Sequence, residues 1–313
     1  MKKIYRILLI LLLIIGFALV GAGKFMLKVA LTPPTGYDEP ATYQSLAQNN
    51  PYLEAWMDSI RSTGALRDTF VLNRHGEKQH LYWLPAREAT PRTAFLIHGY
   101  TDNAISMFRL GYMYHHDMGY NIFLPDLRSH GLSEGDHIQM GWFDRIDCLR
   151  LMPLADSIFG GSTHMVVHGV SMGGATTMMI SGEETPDYVR AFVDDCGYTS
   201  AWDEFAGELR KRYQLPAFPV LYVSSLMCKV LNGWSFGECS ALKQVAKCQK
   251  PMLFIHGDRD DYVPTEMVFP LYEAKTLGEK DIWVASGSAH ADSFIDHREE
   301  YTQRVSAFLE PFM

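Results

Sequence analysis

The chain has 313 residues, 47% of them hydrophobic and 20% charged, a normal globular balance with ample length for one large α/β domain. Its formal net charge of −8 is unevenly spread: Lys2, Lys3, Arg6, Lys24 and Lys28 fall within the first 28 positions without an acid, which leaves −13 on the rest. An acidic body without a basic stripe to neutralise phosphates argues against a nucleic-acid partner.

The first element is an apolar run. Ile7 to Gly23 is 17 residues without a charge, preceded by Lys2, Lys3 and Arg6. As a helix it spans about 26 Å, just short of the roughly 30 Å bilayer core. It is also longer than the roughly 7–15 residues of a cleaved signal's apolar region. Residues 1–31 therefore read as an uncleaved membrane anchor. The alternative is a cleaved signal that releases a soluble exported form, because Ala18, Gly21, Ala22 and Gly23 are small enough for a cleavage site. Lysines ahead of the run favour that end staying in the cytoplasm, with the body exported, although Lys24 and Lys28 oppose this orientation. No cysteine follows the run, so a bacterial lipid-anchored signal is not supported.

Residues 32–65 read as a linker, Thr32 to Gly36, followed by a helix over 41–65 with Leu46, Leu53, Trp56, Met57 and Ile60 in helical phase. Phe70 to Leu72 and His80 to Leu84 flank a polar turn at Gly76 and suggest a hairpin. Strands and helices then alternate. Strands are expected at 93–97, 121–124, 165–168, 191–193, 252–255 and 281–285. Helices are expected at 104–117, 144–159, 174–180, 266–276 and 297–310. That rhythm implies a mostly parallel sheet covered on both faces, with reactive groups at the C-terminal ends of strands. Residues 197–248 break it. They contain no convincing strand, they carry Trp202, Phe205, Tyr213, Phe218, Tyr222, Trp234 and Phe236, and Pro216 and Pro219 interrupt them. A small helical cap inserted over the strand edges is expected here, with ordinary sheet-packing helices as the alternative. None of Cys148, Cys196, Cys228, Cys239 and Cys248 forms a Cys-x-x-Cys pair, so they read as small buried apolar side chains. Export would allow a disulfide among Cys228, Cys239 and Cys248.

One stretch carries chemistry. Gly169-Val170-Ser171-Met172-Gly173 reads Gly-x-Ser-x-Gly between a β-branched run and a helix-forming one. A serine on such a sharp strand-to-helix turn is pushed out of the sheet edge, and the flanking glycines relieve the crowding. A serine hydroxyl needs a base within hydrogen-bond reach, and the base needs a partner to hold its tautomer. His290 follows the last strand among small neighbours, Gly287, Ser288 and Ala289, which leave its ring room to reach a serine. His168 and His256 end strands, where a satisfied buried histidine is the commoner outcome, and His130 lies in a Gly-containing loop. The acid comes from Asp258, Asp260 or Asp261 after the preceding strand, with Asp194 and Asp195 as the fallback.

Four motifs stand in order: Phe95-Leu96-Ile97-His98-Gly99-Tyr100; Pro125-Asp126-Leu127-Arg128-Ser129-His130-Gly131-Leu132-Ser133; the serine turn; and Ile255-His256-Gly257 through Val263-Pro264, with the later Gly-x-x-His. Together they make residues 66–313 resemble the α/β-hydrolase superfamily, and within it bacterial esterases and serine aminopeptidases with an N-terminal hydrophobic segment and a small helical cap. The resemblance implies an α/β fold with a mostly parallel eight-stranded sheet, helices on both faces and a cap at about 197–248. It places the acid at Asp260, in His-Gly-x-x-Asp-x-x-Val-Pro. It implies catalytic Ser171, Asp260 and His290, with an oxyanion hole from the backbone N–H groups of Met172 and Tyr100. Asp126 and Arg128 are expected to pair and hold their loop.

The expected activity is hydrolysis of a carboxylic ester through an acyl-enzyme on Ser171, without metal or organic cofactor. The aromatic insertion suggests an apolar or aryl group on a small-molecule substrate. A serine peptidase acting on short peptides is the close alternative. A non-catalytic binding protein on the same fold is the remote one.

Overall fold

The computed structural model describes residues 2–313; Met1, the first residue of the expected anchor, lies outside them. In chain order the elements are helices α1 (Lys2–Leu31), α2 (Glu39–Asn49) and α3 (Pro51–Ser62); strands β1 (Arg67–Leu72), β2 (Lys78–Leu84) and β3 (Arg92–Ile97); α4 (Phe108–Tyr112), running into a π-turn at Met113–Asp117; β4 (Asn121–Pro125); α5 (Asp144–Ile158); β5 (His164–Val170); α6 (Met172–Ser181); β6 (Val189–Asp195); α7 (Ala201–Tyr213); α8 (Val220–Asn232); α9 (Ala241–Val245); β7 (Met252–Gly257); α10 (Val268–Ala274); β8 (Lys280–Ala285); α11 (Ser293–Asp296); and α12 (Arg298–Leu309). The helix expected over 41–65 is broken into α2 and α3. Pro51 clashes with a helical conformation at the residue before it, and Asn50 leaves the helical region at φ −134°, ψ 75°.

The eight strands form one sheet in the order β1-β2-β4-β3-β5-β6-β7-β8. The β1–β2 hairpin is antiparallel, β2 runs antiparallel to β4, and all later pairings are parallel. Central strands read as continuous apolar runs because helices cover both faces. Ala94, Leu96, Ile122, Leu124, Val166 and Val193 point into a core shared with Leu53, Trp56, Met57, Phe108, Tyr301 and Val305. Their strand neighbours face the other way, toward α5, α6, α9 and α10; Phe254 meets Tyr272 of α10 edge-on at 5.8 Å.

The chain divides into two compact units. One holds residues 33–199 and 241–313, and so the whole sheet. The other combines α1 with residues 200–240, that is, α7, α8 and their connections. In this second unit Ser200 and Ser240 form an isolated antiparallel bridge. Phe205, Trp234 and Phe236 are its buried core, with ring contacts of 4.6 and 5.9 Å. The last part of α1 packs on α8, and Gly23, Leu27 and Leu31 are buried there. All five cysteines are free thiols and buried.

Candidate active site

The turn from β5 to α6 is built by steric necessity. A Cβ on Gly169 would sit 2.0 Å from the carbonyl oxygen of Gly173, and one on Gly173 would sit 2.0 Å from that of Ile97. Only glycine lets strand, turn and neighbouring strand approach this closely. Ser171 between them takes φ 58°, ψ −119°, a region that costs a side-chain-bearing residue about 1–3 kcal/mol. Its N–H donates to the Asp195 carbonyl at 2.8 Å, so β6 holds the turn in place.

Parallel registry carries two more turns to the same sheet edge. Gly257 at the end of β7 stands opposite Ala285 at the end of β8. Asp258 Oδ1 accepts from the Gly287 N–H at 2.6 Å, and the Arg259 N–H donates to the Ser288 carbonyl at 3.0 Å. These bonds tie the Asp260 turn to the His290 turn. His290 Nε2 lies 2.8 Å from Ser171 Oγ, and His290 Nδ1 lies 2.7 Å from Asp260 Oδ2. An ionised carboxylate only accepts, so Nδ1 carries the proton and Nε2 is left to accept from the serine hydroxyl.

Asp260 is kept charged. Burial works against ionisation, but Asp260 Oδ2 faces both His256 and His290, and the carboxyl falls to about 2. Oδ1 also accepts the N–H groups of Tyr262 and Val263 at 3.0 and 2.9 Å. His256 Nε2 additionally donates to the Val263 carbonyl at 2.9 Å. Burial pulls the His256 pKa down, and Asp260 with that carbonyl outweighs it, for a net rise.

The two fallback acids at the end of β6 are different. Asp194 and Asp195 are pushed up to about 8 and about 6, chiefly by burial. Asp194 Oδ1 accepts the Gly197 N–H at 3.1 Å. Asp195 Oδ2 accepts from the Tyr301 hydroxyl at 2.8 Å. The Tyr301 oxygen also meets His168 Nε2 at 3.0 Å, and His168 Nδ1 meets the Tyr114 hydroxyl at 3.0 Å. His168 is thus satisfied by two tyrosines, and burial depresses it to about 3.

The remaining histidines hold loops. His98 Nδ1–H donates to the Gly99 carbonyl at 2.8 Å while Nε2 accepts the Leu127 N–H at 2.9 Å, which joins the loops after β3 and β4. His130 Nε2 accepts the Thr101 N–H at 3.2 Å; burial and His98 lower its pKa to about 3. Asp126 and Arg128 do not pair with each other. Asp126 accepts the N–H groups of Ala104 and Leu132 and faces His80 at 2.8 Å. Arg128 forms a two-pronged bond to Glu77, 2.6 Å at each contact, and reaches Asp136. Asp126 is already filled by backbone donors and His80, whereas Glu77, in the β1–β2 turn, presents both carboxylate oxygens to the planar guanidinium.

Ser171 and His290 open on a cavity of about 630 Å³. Its apolar wall comes from Tyr100, Met107, Leu110, Val170, Phe294 and Ile295, with Tyr262 standing 5.0 Å from the His290 ring. Asp195, Asp102 and Arg109 are its charged lining. Asp102, Ser106 and Arg109 also line a neighbouring polar cavity of about 540 Å³, walled by residues 36–50. Arg109 has no ion-pair partner among the described residues. Asp102, Met107, Arg109, Leu110 and Tyr262 were not anticipated from the sequence, although their placement was available: 102–110 directly follow the Gly99-Tyr100 turn, and Tyr262 stands two residues beyond Asp260. Met172 opens α6, where the first N–H groups lack partners within the helix. Gly99 sits against Ser171: a Cβ there would lie 3.4 Å from Ser171 Cβ. Among the described residues, one trio has metal-ligand character, Cys196, Asp260 and His290, with ligand atoms within 4.8 Å of one another. Asp260 and His290 already bond each other, and burial raises the Cys196 thiol well above its ordinary range.

The sequence profile of the prolyl oligopeptidase family matches residues 108–311. The uncharacterised YqkD protein of Bacillus subtilis is 31% identical over 221 residues, covering 71% of this chain and 72% of that one. The uncharacterised membrane protein YNL320W of Saccharomyces cerevisiae is 27% identical, covering 63% of each. In fold, the chain is similar to an esterase of Pyrococcus furiosus (22% identity, TM-score 0.66, covering 81% of this chain and 94% of that one). It is also similar to an acylaminoacyl peptidase of Pyrococcus horikoshii (14% identity, TM-score 0.56, covering 81% and 43%). With more than half of its length matched by that profile, the chain belongs to the prolyl oligopeptidase family and is a serine hydrolase of the α/β fold.

Proposed function

We propose that the chain is a carboxylesterase in which Ser171 attacks the acyl carbon, His290 takes the serine proton and returns it to the leaving alcohol, and Asp260 holds the ring and steadies its charge. Water then releases the acyl group by the same route. The N–H groups of Met172 and Tyr100 receive the oxyanion; one such donor contributes about 3 kcal/mol to lowering the barrier. The observation that carries the proposal is the continuous hydrogen-bonded chain Ser171–His290–Asp260, at 2.8 and 2.7 Å, opening on an apolar-walled cavity. Support for an apolar acyl or aryl group comes from that wall. The aromatic residues of 200–240 include the core of their own unit, Phe205, Trp234 and Phe236.

A short-peptide substrate is the second reading. Asp102 and Arg109 in the cavity wall favour it, because they offer counter-charges to a peptide's ammonium and carboxylate. Two measurements on the full chain test the proposal. A fluorophosphonate probe should label the wild type and not Ser171→Ala, whose turnover should fall roughly 10⁶-fold. Equal labelling of both removes Ser171 as the nucleophile, and labelling of neither favours a binding protein. Acyl esters of graded length should outpace aminoacyl amides; the reverse order selects the peptidase.

We read α1 as a retained anchor, with the catalytic body outside the cytoplasm. The close packing of α1 on α8 at Gly23 supports retention, since cleavage near Ala18–Gly23 would cut the helix at or just ahead of that contact, while Leu27 and Leu31 would stay with the body. The protein should stay in the membrane fraction through high salt and alkaline washing; a shortened soluble form would select the cleaved signal.

A further inference from the structure

We propose that helix α8 lies on the membrane surface, with the stripe Phe218, Tyr222, Leu226 and Val230 embedded among the lipids of an anionic bilayer beside the anchor. The proposal rests on the reading of α1 as an anchor.

Those four side chains recur every fourth residue, so they form one stripe along α8 and the turn that leads into it. They are 70%, 55%, 66% and 76% exposed, and Leu231 beside them is 65% exposed. Such a run of large apolar groups marks a surface that something covers. The rest of the helix is already committed. Leu221, Ser224, Ser225 and Cys228 are buried, and Val223 and Met227 meet α1.

The contact with α1 sets the depth of α8. A Cβ on Gly23 would stand 2.8 Å from Met227 Sδ and 3.2 Å from Val223 Cγ1, so the two helices touch closely at this residue. Gly23 is also the last residue of the uncharged run, and Lys24 follows it. An anchor that spans the hydrocarbon over residues 7–23 therefore delivers α8 to the boundary between lipid and water. This is the level at which an amphipathic helix gains by burying one face.

Charge names the kind of membrane. This unit carries nine basic side chains against four acidic ones, a net of +5, so the −8 of the whole chain leaves −13 on the other unit. Arg210, Lys211 and Arg212 are exposed just ahead of the stripe, and Lys24 and Lys28 are exposed on α1. Basic groups within a Debye length of anionic headgroups are attracted to them.

The test uses the full-length protein in vesicles of phosphatidylcholine and phosphatidylglycerol. Because the five native cysteines are buried, a single introduced cysteine takes an environment-sensitive fluorophore selectively. Labels at Leu226→Cys and Val230→Cys should emit as in an apolar medium. Nitroxide-bearing lipid should quench them severalfold more than a label at Glu88→Cys on an exposed loop. Apolar emission that lipid nitroxides do not quench would mean that a second copy or another protein covers the stripe, and would overturn the proposal. Water-like emission from protein that resists alkaline extraction would overturn it while leaving the anchor standing. Release of the intact chain by alkaline extraction would remove the anchor and the proposal together.

Discussion

Two acidic strand ends lie near Ser171, and the fold shifts the pKa values of their carboxyl groups in opposite directions. Asp260, after β7, is 5% exposed and sits at about 2; Asp194 and Asp195, closing β6, are 0% and 1% exposed and sit at about 8 and 6. Burial alone does not separate them, since it works against the charge in all three. Donors do. Asp260 receives two backbone N–H groups and faces two imidazoles, whereas Asp194 accepts one N–H and Asp195 one tyrosine hydroxyl. A carboxylate that must stabilise an imidazolium needs enough donors to stay ionised in a dry site.

The strongest challenge to this contrast is Asp260→Asn. It should lower turnover by about 10⁴-fold, the scale expected when the amide reverses the tautomer of the base. Asp195→Asn should change turnover by less than about tenfold, or ~1.4 kcal/mol of barrier. If the two outcomes are exchanged, Asp195 is the partner of His290. Arg109→Gln sharpens the substrate reading: KM for substrates with a free carboxylate should rise severalfold, with little change for neutral esters. Equal effects on both would deny Arg109 that role.

The smallest effects concern stability against pH. The Asp194 pKa is raised from 3.8 to about 8 in the fold. Its stabilising contribution is therefore complete below about pH 4 and is lost as pH rises toward 8. Asp194→Asn does not titrate, so its melting temperature should gain on the wild type by a few degrees, roughly, between pH 5 and pH 8. The Asp260 pKa is lowered, so its contribution is present above about pH 4 and lost as pH falls toward 2. Asp260→Asn should flatten the acid limb of the stability curve, as thermal melts from pH 5 to pH 2 would register.

Much of this was legible in the chain. The apolar runs ending in Gly169 and Gly257, the alternation of strand and helix, and the small residues around His290 encode local geometry, because backbone sterics act between near neighbours in sequence. The aromatic insertion was legible as helical for the same reason. Its apolar content was assigned to substrate, whereas part of that content, Phe205, Trp234 and Phe236, serves the unit's own core. The pairing of Asp126 with Arg128 failed likewise: Arg128 is taken by Glu77, which the hairpin brings from 51 positions away, and by Asp136 and His137 of its own loop.

The sequence by itself determined the order of the elements, the strained turn at Ser171 and the apolar helix at the N-terminus, since each depends on residues a few positions apart. Only the tertiary structure decided which carboxylate meets His290, why the pKa values of Asp194 and Asp195 rise while that of Asp260 falls, and that α1 closes on α8 at Gly23. Those outcomes depend on donors, burial and close contacts brought from distant parts of the chain, and no local pattern records them.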